Sequence, residues 1–180
     1  MDRGRRREKV LVEVMTKPRM PFEVQDILHE NGSSKLSATF KELRERGLVQ
    51  QKAKGLYGLT GRGQRLRKKL LHEKGVPYRY VECRVDWKAY AWVIVGIQRR
   101  VLIKVIERHP QIAAELLRLA RKIHGRLSRT DTYRVLNEFA AKRLAEAERD
   151  ERHVRYSLTR RGNAIKKQLL ASWLVFFIFI

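Results

Sequence analysis

The sequence predicts a mainly α-helical protein with small β-hairpins, in the α+β class, built from two tandem copies of one small domain. The first observation is a repeat: residues 57–71 read YGLTGRGQRLRKKLL and residues 156–170 read YSLTRRGNAIKKQLL, with eight of fifteen positions identical. The second is a set of apolar residues at helical spacing ahead of each repeat, and the third is a pair of short strand-like runs in each copy.

The first copy spans residues 9–75 and predicts three helices, a hairpin and a fourth helix. Gly47 follows the third helical pattern, as expected of a residue that ends a helix in the left-handed conformation. In chain order, the predicted elements are a helix from Lys9 towards Pro18, a helix over 22–28, a helix from a Ser33–Ser34 cap to Gly47, strands over 48–51 and 56–59, and a helix over 60–74.

The second copy spans residues 94–170 and repeats this order, with three additional residues before the repeated segment. It predicts a helix that ends at His109–Pro110, a helix closed by His124–Gly125, a helix capped by Ser128, strands over 144–147 and 154–158, and a last helix. Arg143 stands where the first copy has Gly47. A side chain there predicts that the sharp turn is altered and that the third helix runs longer.

Three helices followed by a hairpin resemble the winged helix-turn-helix layout. The run Ser37–Val49, SATFKELRERGLV, looks like the recognition helix and the start of the wing in winged-helix transcription regulators. Residues 57–63, YGLTGRG, resemble their second wing strand and the helix start after it. The resemblance covers residues 9–74 and, with the repeat, implies tandem winged helix-turn-helix domains whose third helices enter the DNA major groove.

The resemblance also implies which side chains contact DNA: the exposed face of each third helix, the wing tips, and the basic residues after each wing. The third-helix residues are Ser34, Lys35, Ser37, Ala38, Lys41 and Arg44, then Arg129, Thr130, Arg134 and Asn137. The wing residues are Lys52, Lys54, Arg149, Arg152 and Arg155. The residues after the wings are Arg62, Arg65, Arg67, Lys68, Lys69, Arg160, Arg161, Lys166 and Lys167. Because acidic residues crowd the second wing, the first copy is the expected main contact.

Three segments lie outside the two copies. Residues 1–8 predict a disordered basic arm. Residues 76–93, rich in Tyr and Trp, predict a linker that forms an interdomain strand and packing layer, with a stacking platform for unpaired bases as the alternative. The tail 171–180 ends in eight apolar residues, about 12 Å as a helix, which is too short to span a bilayer. It predicts a packing or homodimer interface, with a membrane-surface anchor as the alternative.

The composition favours a polyanionic partner. Lys and Arg number 41 against 19 Asp and Glu, a net charge of +22, which indicates double-stranded DNA and a cytoplasmic, nucleoid-associated protein. The single cysteine excludes an intrachain disulfide and a cysteine-based zinc cluster. No phosphate loop, metal-ligand spacing or catalytic triad is present, so we expect no enzyme activity, cofactor or metal. Scarce asparagine with abundant charge is typical of a thermophilic source.

Three functions stay open at this point. A DNA-binding transcription regulator with two fused winged helices is favoured. An architectural protein that binds DNA by its backbone and shape, with little sequence preference, is the second. A tandem winged-helix module for protein interaction in a larger complex ranks third, because such a role leaves the net charge unexplained.

Overall fold

The computed structural model describes residues 3–28 and 33–171, and it divides the chain into two compact units, Met1–Glu82 and Cys83–Ile180. Helices are combined with one small antiparallel sheet in each unit, so the predicted α+β class is confirmed. The division falls inside the segment expected to link the two copies, since residues 76–82 belong to the first unit and residues 83–93 to the second.

The first unit packs its helices around one hairpin. Its elements are α1 (Arg3–Lys9), a π-helical turn (Val10–Val14), α2 (Pro21–Leu28), α3 (Ser33–Glu45), β1 (Val49–Ala53), β2 (Leu56–Leu59) and α4 (Gly61–Glu73). The hairpin pairs Val49 with Leu59, and both side chains are buried in the core. The other core residues come from the helices and include Val10, Met15, Val24, Leu36, Phe40 and Leu43.

Residues 3–8 belong to helix α1, whereas the sequence predicts a disordered basic arm over residues 1–8, of which the first two lie outside the described residues. Arg7 forms a 2.8 Å salt bridge with Glu42 of α3, and Glu8 forms one of 2.7 Å with Lys74. Glu42 therefore offsets repulsion within this basic run, and the pair of Glu8 with Lys74 connects the run to the end of α4. No local pattern in the sequence reveals these two salt bridges.

The last residues of the first unit pack against the hairpin. The Tyr80 hydroxyl accepts a hydrogen bond from the N–H of Leu59 at 3.1 Å, and its ring lies against the core. The N–H of Val81 donates to the carbonyl of Thr16 at 2.8 Å. Burial raises the pKa of the Tyr80 phenol, so the hydroxyl stays protonated at neutral pH. This aromatic residue therefore stabilises the unit from inside.

The second unit follows the same order of elements, preceded by one additional helix. Its elements are α5 (Trp87–Val95), α6 (Ile97–Val105), β3 (Gln111–Ile112), α7 (Ala113–Ile123), α8 (Arg129–Ala141), β4 (Ala145–Arg149), β5 (Val154–Leu158) and α9 (Arg160–Leu170). The three strands form one antiparallel sheet in the order β3-β5-β4.

The additional helix α5 lies where the sequence predicts an interdomain strand. The Asp86 carboxylate caps it by accepting hydrogen bonds of 2.9 and 3.0 Å from two backbone N–H groups of the first turn. The buried residues then recur at helical spacing, and they are Ala89, Tyr90, Ala91, Val93 and Ile94. A cap and an apolar face thus favour a helix in spite of the aromatic composition.

Both units pair a third segment with the second hairpin strand, at the tyrosine that begins each repeat. In the second unit, β3 pairs Gln111 with Tyr156 of β5. In the first unit, Arg19 and Tyr57 exchange two backbone hydrogen bonds of 2.8 and 2.9 Å. The structural repeat therefore extends upstream of the segments whose similarity is visible in the sequence.

A threonine joins the last helix of each unit to the turn after the third helix. The Thr60 hydroxyl accepts a hydrogen bond from the N–H of Gly63 at 3.0 Å and donates one to the Gly47 carbonyl at 2.6 Å. Thr159 makes the equivalent bonds in the second unit, where it accepts from the N–H of Gly162 at 3.0 Å. This geometry explains why threonine and glycine keep the same spacing in both repeats.

The two glycines permit a close approach between the last helix and a backbone carbonyl. A Cβ atom on Gly63 would lie 2.0 Å from the carbonyl oxygen of Leu48, and one on Gly162 would lie 2.0 Å from that of Leu144. Both separations are far shorter than van der Waals contact. Any side chain here would displace the last helix from the turn that it contacts.

We predict that Gly63→Ala destabilises the first unit by about 2 to 3 kcal/mol, because the added Cβ atom overlaps a backbone carbonyl. Gly61→Ala is the matched control two residues earlier, where the nearest atom to an added Cβ is a guanidinium nitrogen of Arg65 at 3.8 Å. Chemical denaturation of both variants measures the two effects. Equal free energies of unfolding would contradict the close-approach argument.

The turn after the third helix uses a left-handed residue in both units. Gly47 has a φ of 66° and Arg143 a φ of 55°. Because α3 and α8 both contain 13 residues, the expected lengthening of the third helix in the second copy is wrong. The Thr159 hydroxyl donates to the carbonyls of Arg143 and Leu144 at 2.9 and 3.1 Å, and these bonds hold the arginine in this unfavourable conformation.

We predict that Arg143→Gly raises the free energy of unfolding of the second unit by roughly 0.5 to 1 kcal/mol, since glycine adopts this conformation without steric cost. Gly47→Ala is expected to lower that of the first unit by about 1 kcal/mol. Nothing lies within 4 Å of a Cβ atom built on Gly47, so backbone strain is the relevant cost. Thermal unfolding of the two variants tests this prediction. Melting temperatures that change in the same direction for both variants would contradict it.

Candidate nucleic-acid interface

The third helix of the first unit has one buried face and one polar face. Leu36, Phe40 and Leu43 are buried in the core. The opposite face is exposed and carries four of the predicted contact residues, Ser37, Ala38, Lys41 and Arg44. The first, third and fourth of these follow the spacing i, i+4 and i+7, so they share one stripe of the helix surface.

The positive charges on this stripe are available to a partner. Lys41 and Arg44 form no salt bridge with any of the described residues, since the neighbouring Glu42 pairs with α1 instead. The predicted contact residues Ser34 and Lys35 belong to the first turn of α3, but their side chains lie outside the part of the chain that the structure describes.

In the first hairpin, one of the two predicted contact lysines forms no salt bridge with a described residue. Lys54 is exposed at the tip of the hairpin. The Nζ atom of Lys52 lies 2.6 Å from a carboxylate oxygen of Glu82, and the two side chains are only 18% and 25% exposed. Because the Lys52 charge is neutralised within the unit, Lys54 is the better candidate for a phosphate contact.

Four basic residues of α4 are exposed, as a phosphate-contacting helix requires, and these are Arg62, Arg65, Lys68 and Lys69. The fifth, Arg67, is 3% exposed. Its guanidinium donates hydrogen bonds of 2.8 and 3.2 Å to the carbonyls of Leu11 and Val12, and it also bonds the Arg79 carbonyl. The expectation that Arg67 contacts phosphate is therefore wrong, because its donors are used inside the unit.

Lys166 occupies the equivalent position in the second repeat, and it is buried as well. Its Nζ atom donates to the carbonyl of Ile106 at 2.9 Å and to a carboxylate oxygen of Glu107 at 2.7 Å. The predicted phosphate contact is wrong for this residue too. A buried cation on the last helix is thus a repeated structural feature, whereas Arg160, Arg161 and Lys167 of α9 are exposed.

The third helix of the second unit exposes its predicted contact residues, Arg129, Thr130, Arg134 and Asn137, but most of them already have partners. Arg134 bonds Glu138 at 2.8 Å, the Gln98 side chain at 2.6 Å and Asp131 at 3.3 Å. The hydrogen bonds that Arg134 donates to the carboxylates of Asp131 and Glu138 raise its pKa.

Asn137 and Arg129 have partners of their own. The Asn137 amide oxygen accepts a hydrogen bond from the Tyr156 hydroxyl at 3.0 Å, and the Arg129 guanidinium lies 5.7 Å from the centre of the Tyr133 ring. A base would have to displace these interactions in order to bind here. The α8 face is therefore less available to DNA than the α3 face.

The second wing is organised by one carboxylate. Asp150 accepts hydrogen bonds from the backbone N–H groups of Arg152 and His153 at 3.0 and 2.7 Å, and from the Arg155 guanidinium at 2.8 Å. These interactions lower the pKa of Asp150 to about 2. Of the three predicted wing contacts, Arg155 is thus neutralised, while Arg149 and Arg152 are exposed.

We predict that this wing loses stability in acid. The pKa of Asp150 lies below the value of 3.8 usual for an unfolded chain, so its stabilising effect is complete above pH 3.8 and is lost as the pH falls through about 2. Chemical denaturation between pH 5 and 2 should show a larger loss of stability for the wild type than for Asp150→Asn. Identical pH profiles would contradict the assignment.

The basic excess is shared by both units. The first unit has 20 Lys and Arg against 10 Asp and Glu, and the second has 21 against 9. Each unit is therefore basic by itself, although the cations of the two units have different partners.

The second unit also contains a groove of about 480 Å³, between the start of α5, the end of α8 and the start of α9. Its lining residues are Asp86, Lys88, Ala89, Trp92, Ala141, Lys142, Arg143 and Arg161. The backbone N–H of Ala89, together with the Arg161 guanidinium, holds the pKa of the Asp86 carboxyl below its usual value. The sequence analysis did not predict this groove. The one feature of the sequence that pointed to it is Arg143, which stands where the first copy has Gly47.

No protein-family model matches the chain, and no curated protein matches it. Within residues 3–28 and 33–171, no helix is long and apolar enough to cross a membrane. The same residues hold no group of three or more His, Cys, Asp or Glu side chains that would bind a metal ion. The apolar tail expected to form a packing or homodimer interface lies, from residue 172 onwards, outside the described residues.

Proposed function

We propose that the chain binds double-stranded DNA through two winged-helix units and acts as a transcription regulator. The observation that carries the proposal is the exposed face of α3, where Lys41 and Arg44 follow Ser37 on one stripe without a salt bridge to any described residue. A helix with small and basic residues on its exposed face suits the major groove, since lysine and arginine reach guanine edges and serine bonds either base type.

The order of elements supports the winged-helix assignment. In both units three helical segments lead into a hairpin, and the residues just before the second of them pair with the second hairpin strand at Tyr57 or Tyr156. This arrangement leaves the third helix exposed on one face and extends the hairpin beside it as a wing. A wing and a recognition helix together fix the orientation of such a unit on a duplex.

The two units are expected to contribute differently. The first unit supplies base contacts through α3, because Lys41 and Arg44 form no salt bridge among the described residues, and phosphate contacts through Lys54 and the exposed cations of α4. In the second unit, Arg134 and Asn137 hold partners inside the unit. That unit contributes phosphate contacts through Arg149 and Arg152, and little sequence preference.

The test is a salt titration of binding to a random duplex and to a duplex selected for high affinity. Electrostatic binding lowers log K by about 0.9 per phosphate neutralised for each tenfold increase in salt, so both duplexes should show a steep slope. A regulator should bind the selected duplex at least about 1,000-fold more tightly. Absence of binding to both duplexes near physiological salt would reject the proposal.

We predict that two lysine variants affect this titration in different ways. Lys41→Gln removes a base-reading side chain. It should therefore weaken binding to the selected duplex by about tenfold and weaken binding to the random duplex much less. Lys68→Gln removes a phosphate contact. It should therefore weaken binding to both duplexes alike and reduce the slope of log K against log salt concentration by about one. Equal losses on both duplexes for both variants would contradict the assigned roles.

One observation favours an architectural protein as the second candidate. Because Arg134 and Asn137 are engaged within the second unit, few side chains remain for reading bases. Equal affinity for the random and selected duplexes, with the same salt slope, would support this candidate over the regulator. The protein-interaction alternative has less support from the aromatic segment, since Tyr80 and Tyr90 pack inside their own units.

A further inference from the structure

The basic groove of the second unit has no part in the proposed reading of DNA. Four cations line it, Lys88, Lys142, Arg143 and Arg161, together with one carboxylate, that of Asp86. A concave site with an excess of positive charge attracts anions more strongly than a flat surface with the same charges, because its walls exclude water. The groove of about 480 Å³ is large enough for a phosphate or a short polyphosphate.

The one carboxylate in the groove is already satisfied. Asp86 accepts hydrogen bonds from two backbone N–H groups at the start of α5 and from the Arg161 guanidinium. Arg161 also donates to the Lys142 carbonyl at 3.0 Å. These bonds fix one wall of the groove, and they direct both carboxylate oxygens of Asp86 to the α5 backbone and to Arg161 and not to the other three cations.

The remaining cations lack acidic partners. Lys88, Lys142 and Arg143 form no salt bridge with any residue in the described ranges. Lys88 comes from the start of α5, whereas Lys142 and Arg143 are neighbours at the end of α8, so the fold brings together two segments that are distant in sequence. An anion in the groove would relieve their mutual repulsion.

The aromatic residue in the groove is covered by cations. The Lys142 Nζ atom lies 4.8 Å from the centre of the Trp92 ring, and the Arg99 guanidinium lies 4.2 Å from it. The ring also meets Phe139 edge to face. Because these contacts occupy the indole, the groove presents charge and not a stacking surface, which favours phosphate over a nucleobase.

Arg143 adds charge to the groove at a conformational cost. The first unit uses Gly47 at this position, with the same left-handed backbone, and no helix among its described residues takes the place of α5. Glycine at position 143 would adopt this backbone conformation without strain. A strained side chain at such a position is a feature expected of functional sites. The first unit thus lacks both the charge and the wall.

We propose that this groove is a phosphate-binding site, in which Lys88, Lys142 and Arg143 bind the anion and Arg161 forms the wall. The site lies at the C-terminal end of α8, where Lys142 is thirteen residues and about 20 Å along the helix from Arg129, whereas the proposed base contacts belong to α3 of the first unit. It is therefore separate from the major-groove contacts, and it does not depend on the second unit reading bases. The phosphate belongs either to a DNA backbone or to a free phosphorylated molecule.

The test follows the indole N–H signal of Trp92 by NMR in a Trp87→Phe, Trp173→Phe background, during titration with inorganic pyrophosphate. Pyrophosphate that draws Lys142 away from the ring should shift this single signal along a saturable curve. The Lys142→Gln, Arg143→Gly double variant should weaken the apparent affinity by about tenfold or more. Lys88→Gln should weaken it in the same direction.

The first unit offers a matched control for the loss of two charges. Arg46 occupies the position equivalent to Lys142, and Arg79 is a second exposed cation of the first unit with no proposed role in binding DNA, so Arg46→Gln, Arg79→Gln removes two cations without touching the groove. This control should leave the pyrophosphate curve of Trp92 unchanged. Absence of a saturable shift, or an equal loss of affinity in the control and the groove variant, would overturn the proposal.

A duplex DNA titration with the same signal separates the two sources of phosphate. If a 20-base-pair duplex shifts the Trp92 signal and pyrophosphate competes with it, the ligand is the DNA backbone. If the duplex binds without a shift, or does not bind, while pyrophosphate still shifts the signal, the ligand is a free phosphorylated molecule. Failure of DNA binding would therefore leave the groove proposal intact, and the two outcomes remain distinguishable.

Discussion

The hydrogen bonds of one threonine hydroxyl determine how each unit is assembled. Thr60 and Thr159 begin the last helix, and the same hydroxyl donates to carbonyls of the turn after the third helix. The hairpin connects these two points, so its direction relative to the third helix is fixed by this joint. Without the joint, the last helix and the wing would be free to move relative to the face that is proposed to read DNA.

Much of the fold could be predicted because its signals are local. Helix caps such as Ser128 with Asp131 act within one turn, and hairpin strands are bounded by their own turn residues. The shared Thr-x-x-Gly spacing marked both starts of the last helix. These features depend on residues a few positions apart, which is the range in which sequence patterns are informative.

The failures of prediction concern contacts between residues that are remote in sequence. The basic run of α1 is stabilised by Glu42, which lies 35 residues away. Arg67 and Lys166 belong to helices whose other cations are exposed, and only their place on the buried face separates them from their neighbours. The groove in the second unit joins residues of α5 with residues of α8 and α9, so no single segment could indicate it.

The buried cations of the last helices have a consequence for how each unit opens. Arg67 binds carbonyls of the π-helical turn, and Lys166 binds the carbonyl at the end of α6. Detaching the first helical segment from the last would therefore leave a buried charge without acceptors, which is costly. In each repeat, a buried cation of the last helix thus connects that helix to the first helical segment through backbone carbonyls. Local fraying from either end is suppressed, and amide exchange in these helices should follow opening of the whole unit.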